Sequence, residues 1–195
     1  MIREHIRPAV VLTLLLCAVT GLLYPGVVTA VAQLLFPDQA NGSLIVRNGH
    51  PVGSRLIGQA FTAPYYFHSR PSAAGAGYDA TASAGSNKGP TDRKLADTLI
   101  AQAVDKVVQE DGVEKGHIPA DMVTASGSGL DPDISPANAL LQVDRVARER
   151  GADARAVRAL VEQNIEGRQF GVLGERAVNV LELNLALDSL FPRRP

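Results

Sequence analysis

Hydrophobic positions follow two different patterns along the chain, one continuous and one periodic. Residues 9–36 carry no charge and are mostly apolar, and Arg3 and Arg7 lie directly before them. A bilayer core requires about 20 apolar residues in a helix. The pattern therefore predicts a short N-terminal segment (1–8), a transmembrane helix (9–36) and a polar domain (37–195).

The charges beside the span predict its orientation. After Arg3 and Arg7 the next basic residue is Arg47, so the positive-inside rule places the N-terminus in the cytoplasm and the domain outside. A cleaved signal peptide is the alternative, because the Ala-Val-Ala run at residues 30–32 fits a cleavage site. The apolar stretch continues to Phe36, which favours a retained helix.

The span also contains small residues and a proline. Pro25 lacks a backbone donor and predicts a kink. Gly21 follows Cys17 by four residues, and Ala30 follows Gly26 by four, a spacing that lets a second helix approach closely. We predict that Gly21, Gly26 and Ala30 contact a partner helix. A helix with ordinary glycine content is the alternative.

The domain begins with a predicted hairpin. Residues 43–47 are typical of a short strand, Asn48-Gly49 is typical of a tight turn, and Ser54–Thr62 is the predicted return strand. Gly58 is a candidate for close backbone approach. Residues 63–90 are poor in large aliphatic side chains and predict a long loop, which in a compact domain is usually functional or disordered.

Apolar residues at helical spacing predict four helices after the loop. They are residues 93–110, 136–150, 154–166 and 178–190. Ser135 is the N-cap candidate of the second helix, and Gly112 and Gly151 are expected ends of the first two. Met122–Ala125 is compatible with a strand. The fold class is therefore mixed α/β, an extracytoplasmic domain in which helices pack a hairpin or small sheet, with one N-terminal transmembrane helix.

Composition excludes several classes of function. The chain has 19 basic and 20 acidic side chains, which gives nucleic acid no positive field to bind. Its single cysteine, Cys17, excludes an internal disulfide and a multi-cysteine zinc site. The four histidines lack metal-ligand spacing, and the serines of residues 126–129 do not form a nucleophile elbow. We therefore predict no metal and no catalytic residues.

Two local features invite a chemical interpretation. His68, beside Ser69 and Arg70, could act as a base, and a loop histidine with ordinary polar contacts is the alternative. Residues 85–89, Gly-Ser-Asn-Lys-Gly, could hold a phosphate before a helix, although the spacing is not that of a P-loop. A tight loop leading into the helix is the alternative interpretation.

Ordered motifs along nearly the whole chain resemble the C subunit of the Kdp-type potassium-transporting P-type ATPase. They are Tyr24-Pro25, QANGSLI (39–45), LIGQAFT (56–62), YFHSRPS (66–72), VTASGSGLD (123–131) and VNVLELNLALD (178–188). No single motif is enough to indicate this family, but the occurrence of all of them in this order is highly specific for it. A secreted or membrane-anchored periplasmic binding protein without a transport role is the alternative class.

The resemblance implies an accessory, non-catalytic subunit of a high-affinity potassium uptake complex in the bacterial inner membrane. The implied partners are a pore-forming A subunit, an ATP-hydrolysing B subunit and a small F subunit, with lipid around the span. No cofactor of its own is implied, and ATP enters only through the complex, as the family is described as a catalytic chaperone that raises the ATP affinity of the B subunit.

The resemblance also implies a nucleotide contact, because Gln142 occupies the position of a glutamine proposed for that role. A structural hydrogen-bonding role for a surface glutamine is the alternative, since a domain outside the membrane cannot reach cytosolic ATP. From the loop composition and the resemblance we predict that Arg70, Tyr78, Ser86 and Asn87 pack against the pore subunit. The alternative is that these residues tie the loop to its own domain.

Overall fold

The computed structural model describes residues 2–192. The chain divides into two compact units, one up to Pro51 and one from Val52 onwards. The first contains a long apolar helix, and the second contains helices packed with a small sheet. The predicted mixed α/β class with one N-terminal apolar helix is confirmed.

The apolar helix is continuous but changes its winding near the proline. Helix α1 (Ile2–Ala18) passes through a π-helical turn (Val19–Leu23) into α2 (Tyr24–Leu35). The stretch Arg3–Leu35 is long and apolar enough to cross a bilayer. Pro25 removes one backbone donor, and the wider π-helical turn directly before it accommodates this loss. A short helix, α3 (Pro37–Ala40), follows.

The first two strands form the predicted hairpin with a different return strand. β1 (Leu44–Arg47) pairs with β2 (His50–Ser54). Asn48 and Gly49 have φ angles of 52° and 79°, and positive φ at both turn residues matches the twist of a two-residue hairpin. The predicted return strand at Ser54–Thr62 is wrong, because so short a turn makes pairing begin directly after Gly49.

A second, three-stranded antiparallel sheet lies within residues 52–192. Its central strand, β5 (Ala177–Asn179), lies between β3 (Asp133–Ile134) and β4 (Ile165–Glu166). Val178 is paired with Ile134 on one side and with Ile165 on the other. The predicted helix 154–166 is therefore shorter than expected, because Ile165 joins the sheet.

The unit that contains this sheet also contains helices. They are α4 (Ala101–Asp111), α5 (Ala120–Val123), α6 (Pro136–Leu141), α7 (Val143–Arg150), α8 (Ala154–Gln163) and α9 (Val180–Leu190). A π-helical segment, Leu95–Ile100, leads into α4. The Ser135 hydroxyl caps α6, and Gly112 and Gly151 end α4 and α7 with positive φ, as predicted. Met122 and Val123 lie in α5, so the strand considered at this point is wrong.

The core brings together the three-stranded sheet, the four helices α6 to α9 and the long loop. Its fully buried side chains include Ile134, Val143, Val146, Val157, Val161, Val178, Leu183 and Leu187. Phe67 is buried in the same cluster although it belongs to no helix or strand. The loop is therefore part of the folded core.

Candidate functional site

The long loop is irregular and yet firmly packed, as binding segments on a rigid scaffold often are. Residues 55–92 form no helix or strand. At Gly58 an added Cβ would lie 2.4 Å from the carbonyl oxygen of Asp131, so the backbones touch as predicted. Backbone N–H and carbonyl groups buried in such a segment need hydrogen-bond partners other than those that a helix or a sheet provides. For residues 64–68 side chains from the helices supply them.

Two buried side-chain amides bind successive loop residues. Phe67 N–H donates to Asn184 Oδ1 (2.9 Å), and Asn184 Nδ2 donates to the Phe67 carbonyl (3.0 Å). His68 N–H donates to Gln142 Oε1 (2.7 Å), and Gln142 Nε2 donates to the His68 carbonyl (3.1 Å). Each amide thus pairs with the loop as a neighbouring strand would.

Two arginines donate hydrogen bonds to the carbonyls of the three residues that precede Phe67 and His68. One guanidinium nitrogen of Arg145 donates to the carbonyls of Pro64 and Tyr66. Arg150 Nε donates to the carbonyl of Tyr65 (2.8 Å). We call Gln142, Arg145, Arg150 and Asn184 together the clasp. It fixes the backbone of five consecutive loop residues.

The positive charges of the clasp are compensated by carboxylates. Arg145 Nε lies 2.7 Å from Asp111 Oδ1, and the two side chains are only 2% and 3% exposed. Arg150 Nη2 lies 2.8 Å from Asp188 Oδ1, and its guanidinium also stacks over the rings of Tyr65 and Tyr66. Burial of the arginines is possible because each has a carboxylate partner.

Gln142 is the central member of the clasp and uses all of its polar capacity. Besides the bonds to His68, its Nε2 donates to Asn138 Oδ1 (2.7 Å) and its Oε1 accepts from Arg145 Nη2 (2.6 Å). An amide offers two donors and two acceptor lone pairs, and all four are engaged. The prediction of structural hydrogen bonds is confirmed, but the residue is 1% exposed and does not lie on the helix surface.

A cavity of about 380 Å³ lies between the loop and α4. Its lining includes His68, Arg70, Tyr78, Lys106, Glu110 and Gln142. Within residues 2–192 no group of three His, Cys, Asp or Glu side chains is arranged to hold a metal ion.

The structure separates the four loop residues predicted to contact a partner into two places. Arg70 and Tyr78 lie together, because the Tyr78 hydroxyl donates to the Arg70 carbonyl and Arg70 Nη1 lies 3.0 Å from Asp131 Oδ2. Ser86 is half-buried and Asn87 is exposed with φ of 52°, and neither lines the cavity. Lys88 pairs with Asp92 at 3.0 Å, which supports the interpretation of residues 85–89 as a tight loop before the helix.

The three small residues of the span lie on exposed helix surface. Gly21 belongs to the π-helical turn, and Gly26 and Ala30 belong to α2. Apart from its chain neighbours and the backbone of its own helix, a Cβ at Gly21 or Gly26 would meet no described atom within 4 Å. Both glycines therefore leave room for the backbone of another helix.

His68 is held in its neutral form by its surroundings. Its Nε2 lies 3.0 Å from the Ala63 carbonyl, and its Nδ1 lies 3.6 Å from Glu110 Oε2. Burial lowers the pKa of His68 to about 4, and the positive charge of Arg145 adds to this effect. At neutral pH the ring acts as a hydrogen-bonding loop residue, which agrees with the alternative to catalysis.

The depressed pKa of His68 predicts a loss of stability in acid. The unfolded chain binds this proton near pH 6.5 and the folded chain near pH 4, so the unfolded state holds more protons between these values. Stability falls as the pH drops from about 6.5 to 4. The expected contribution is roughly 2 kcal/mol, after allowing for solvent access and the nearby Glu110.

Urea unfolding of the purified chain at pH 7.5 and pH 4.5 measures this effect. His68→Gln retains a donor for the Ala63 carbonyl and should lose roughly 2 kcal/mol less on acidification than the wild type. His117→Gln, at an exposed histidine, is the control and should behave like the wild type. Equal acid sensitivity of wild type and His68→Gln would contradict the prediction.

Sequence reasoning missed three of the four clasp residues. Asn184 carried a usable signal, because it is a polar residue between Leu183 and Leu187 on the apolar face of a predicted helix. Arg145 and Arg150 carried no comparable signal, since an arginine on a helix is usually exposed. Only the folded chain shows that their partners are loop carbonyls.

Comparison with known proteins identifies the family. The family model described as "KdpC: K+-transporting ATPase, c chain" matches residues 6–189. A protein of Gemmatimonas aurantiaca is 65% identical over 193 residues, covering 98% of this chain and 96% of the relative. Relatives from Koribacter versatilis (52% over 190 residues; 97% of each chain) and Rhodospirillum rubrum (54% over 187 residues; 96% of each chain) are also similar. All three are named potassium-transporting ATPase KdpC subunit. The chain therefore belongs to the KdpC family, the c chains of the K⁺-transporting ATPase.

Proposed function

We propose that this chain is a non-catalytic accessory subunit that anchors to the pore and ATPase subunits of the complex and stabilises their assembly. The clasp is the observation that carries the proposal. Four buried side chains are used to hold an irregular loop in one conformation. Because the loop is already ordered in the folded chain, it loses little further conformational entropy when a partner binds to it.

The membrane topology is the first element of this proposal. The apolar helix remains in the inner membrane as a single span, with its N-terminus in the cytoplasm and the domain outside. The support is Arg3 and Arg7 before the span and the absence of charge through residue 36. The relatives named as transporter subunits do not favour a periplasmic binding protein without a transport role.

The contacts with partners are the second element. Gly21, Gly26 and Ala30 offer a close-packing surface to a helix of a partner, and Arg70, Tyr78, Ser86 and Asn87 face the pore-forming A subunit. The ATP-hydrolysing B subunit and the small F subunit complete the assembly. The supporting observations are the open space at both glycines and the exposure of Asn87.

An effect on ATP is the third element, and we infer that it is indirect. A catalytic chaperone could raise the ATP affinity of the B subunit by holding the assembly in one conformation. The saturated hydrogen bonding of Gln142 supports this indirect route, because a nucleotide would have to displace bonds already made. The direct contact at Gln142 stays a prediction.

Recovery of the complex from detergent-solubilised membranes tests the proposal. A tagged full-length chain should bring a large P-type ATPase subunit with it. Arg70→Ala combined with Asn87→Gly removes two side chains and keeps a residue that tolerates positive φ at position 87. We expect this variant to bind its partners about tenfold more weakly, which corresponds to about 1.4 kcal/mol of lost contact.

Arg158→Ala is the matched control, since it removes an exposed arginine from α8. Its recovery and potassium uptake should equal those of the wild type. Unchanged recovery and uptake in the Arg70–Asn87 variant would refute a contact role for the loop. Failure of the wild type to bring any ATPase subunit would refute the accessory function itself.

A further inference from the structure

An exposed apolar turn lies along the chain between β4 and β5, the last two strands of the sheet. Residues 169–173, which we call the tip, are closed by two backbone hydrogen bonds between Gln169 and Leu173, both 2.9 Å. Below them Arg168 Nη2 lies 2.8 Å from Glu175 Oε2. The tip therefore has a defined conformation before any partner binds.

The backbone of the tip is strained at its largest side chain. Phe170 and Gly171 are the central residues of a turn closed by Val172 N–H on the Gln169 carbonyl, and their φ angles are 52° and 76°. Glycine adopts positive φ freely, but a bulky aromatic residue does so only with steric strain between its Cβ and the backbone. Strain that persists at an exposed position is typical of functional segments.

The tip exposes an unusual amount of apolar surface. Phe170 is 93% exposed, Val172 71% and Leu173 56%. Side chains of this size together present about 350 Å² of apolar surface, and contiguous patches of this size are often functional sites. The sequence offers no local reason for three such side chains in a turn flanked by Gly167 and Gly174.

Area and charge narrow the choice of what covers the tip. A stable complex buries about 800 Å² on each partner, so this patch alone is too small to hold a second copy of the chain. Glu166, Arg168, Glu175 and Arg176 at its base sum to no net charge, which gives an anionic lipid surface no attraction. Both limits are met if the tip inserts into a neutral apolar pocket of a partner protein and other parts of this chain also contact that protein.

We infer that the tip, residues 169–173, is an anchor that inserts Phe170 into an apolar pocket on a partner subunit of the potassium-transporting ATPase. This inference rests on the proposed function, which supplies the additional contacts. Aromatic side chains that fill a pocket commonly dominate the energy of an interface. The preformed turn lowers the ordering cost of binding.

Phe170→Asn tests the anchor. Asparagine tolerates positive φ, so the variant should fold at least as stably as the wild type while losing the aromatic side chain. After dilution in detergent, the half-life of the full complex should fall about thirtyfold, as for removal of an interface hot spot. Leu190→Asn is the matched control, because it removes a 61% exposed side chain from the end of α9, and it should leave the half-life unchanged.

Phe170→Trp distinguishes lipid from protein. The chain contains no tryptophan, so this variant carries a single fluorophore at the tip. In vesicles that contain the full chain without its partners, the fluorescence should be that of a water-exposed ring and should not be quenched by brominated lipids. Quenching there would overturn the inference in favour of membrane insertion.

Two further outcomes would also overturn the anchor. An unchanged complex half-life for Phe170→Asn would mean that the tip carries no binding energy. Dimers of the isolated full chain that disappear in Phe170→Asn would assign the tip to a second copy. In each case the wild-type complex still forms, whereas failure of the wild type to assemble would count against the proposed function.

Discussion

Arg145→Met is expected to lower the free energy of unfolding by about 3–5 kcal/mol. The substitution removes the guanidinium that pairs with the buried carboxylate of Asp111 at 2.7 Å. It also leaves the carbonyls of Pro64 and Tyr66 without this donor. A buried charge that loses its partner costs far more than a surface pair, because no water replaces the lost contact.

Urea unfolding of the purified chain in micelles, followed by circular dichroism, measures this loss. Arg148→Met is the matched control, since that arginine lies in the same helix, is 62% exposed and, among the described residues, forms its ion pair with neighbouring Glu149. Its effect should stay below about 0.5 kcal/mol. Combining Arg145→Met with Asp111→Leu should recover part of the loss, because no unpaired carboxylate remains. Equal effects of Arg145→Met and Arg148→Met would contradict the assigned role of the ion pair.

Gln142→Leu is expected to lower the free energy of unfolding by about 3 kcal/mol. Leucine has nearly the volume of glutamine, so the change removes four hydrogen bonds without opening a large cavity. The N–H and carbonyl of His68 then stay buried without these partners, and each unsatisfied group costs about 1–3 kcal/mol. Because the loop can relax, the total loss of stability is smaller than the sum of these penalties. Gln102→Leu, at an exposed position of α4, is the control and should change stability by less than about 0.5 kcal/mol.

The same variant separates a structural role from a nucleotide contact. If Gln142 acts through the clasp, complexes that still assemble with Gln142→Leu will have the ATP KM of the wild type, although fewer of them form. If Gln142 touches the nucleotide, the KM will rise in fully assembled complexes. Titration of ATP hydrolysis against the amount of assembled complex distinguishes the two results.

Features that depend on neighbouring residues were predictable. The Ser135 cap, the ends of α4 and α7 at Gly112 and Gly151, and the Asn48-Gly49 turn all follow from local backbone preferences. The apolar helix follows from composition alone. These signals act over a few residues and therefore survive in any arrangement of the rest of the chain.

Features that depend on distant partners were mispredicted or missed. Ile165 continues a helical pattern, yet it lies in β4 because pairing with Val178 competes with one more helical turn. The strands of the sheet have two or three residues, too few to show a period of two. The return strand begins at His50 and not at Ser54, because pairing resumes directly after the two-residue Asn48-Gly49 turn.

By itself the sequence determined the apolar helix, the capped helices, the first turn and, through the order of its motifs, the family. Only the tertiary structure decided how the long loop is held, that Gln142 is buried, and that Phe170 is presented to solvent. The physical reason is the distance along the chain. Asn184 meets Phe67 across 117 residues and Gln142 meets His68 across 74, so hydrogen bonds between them exist only after the core has formed.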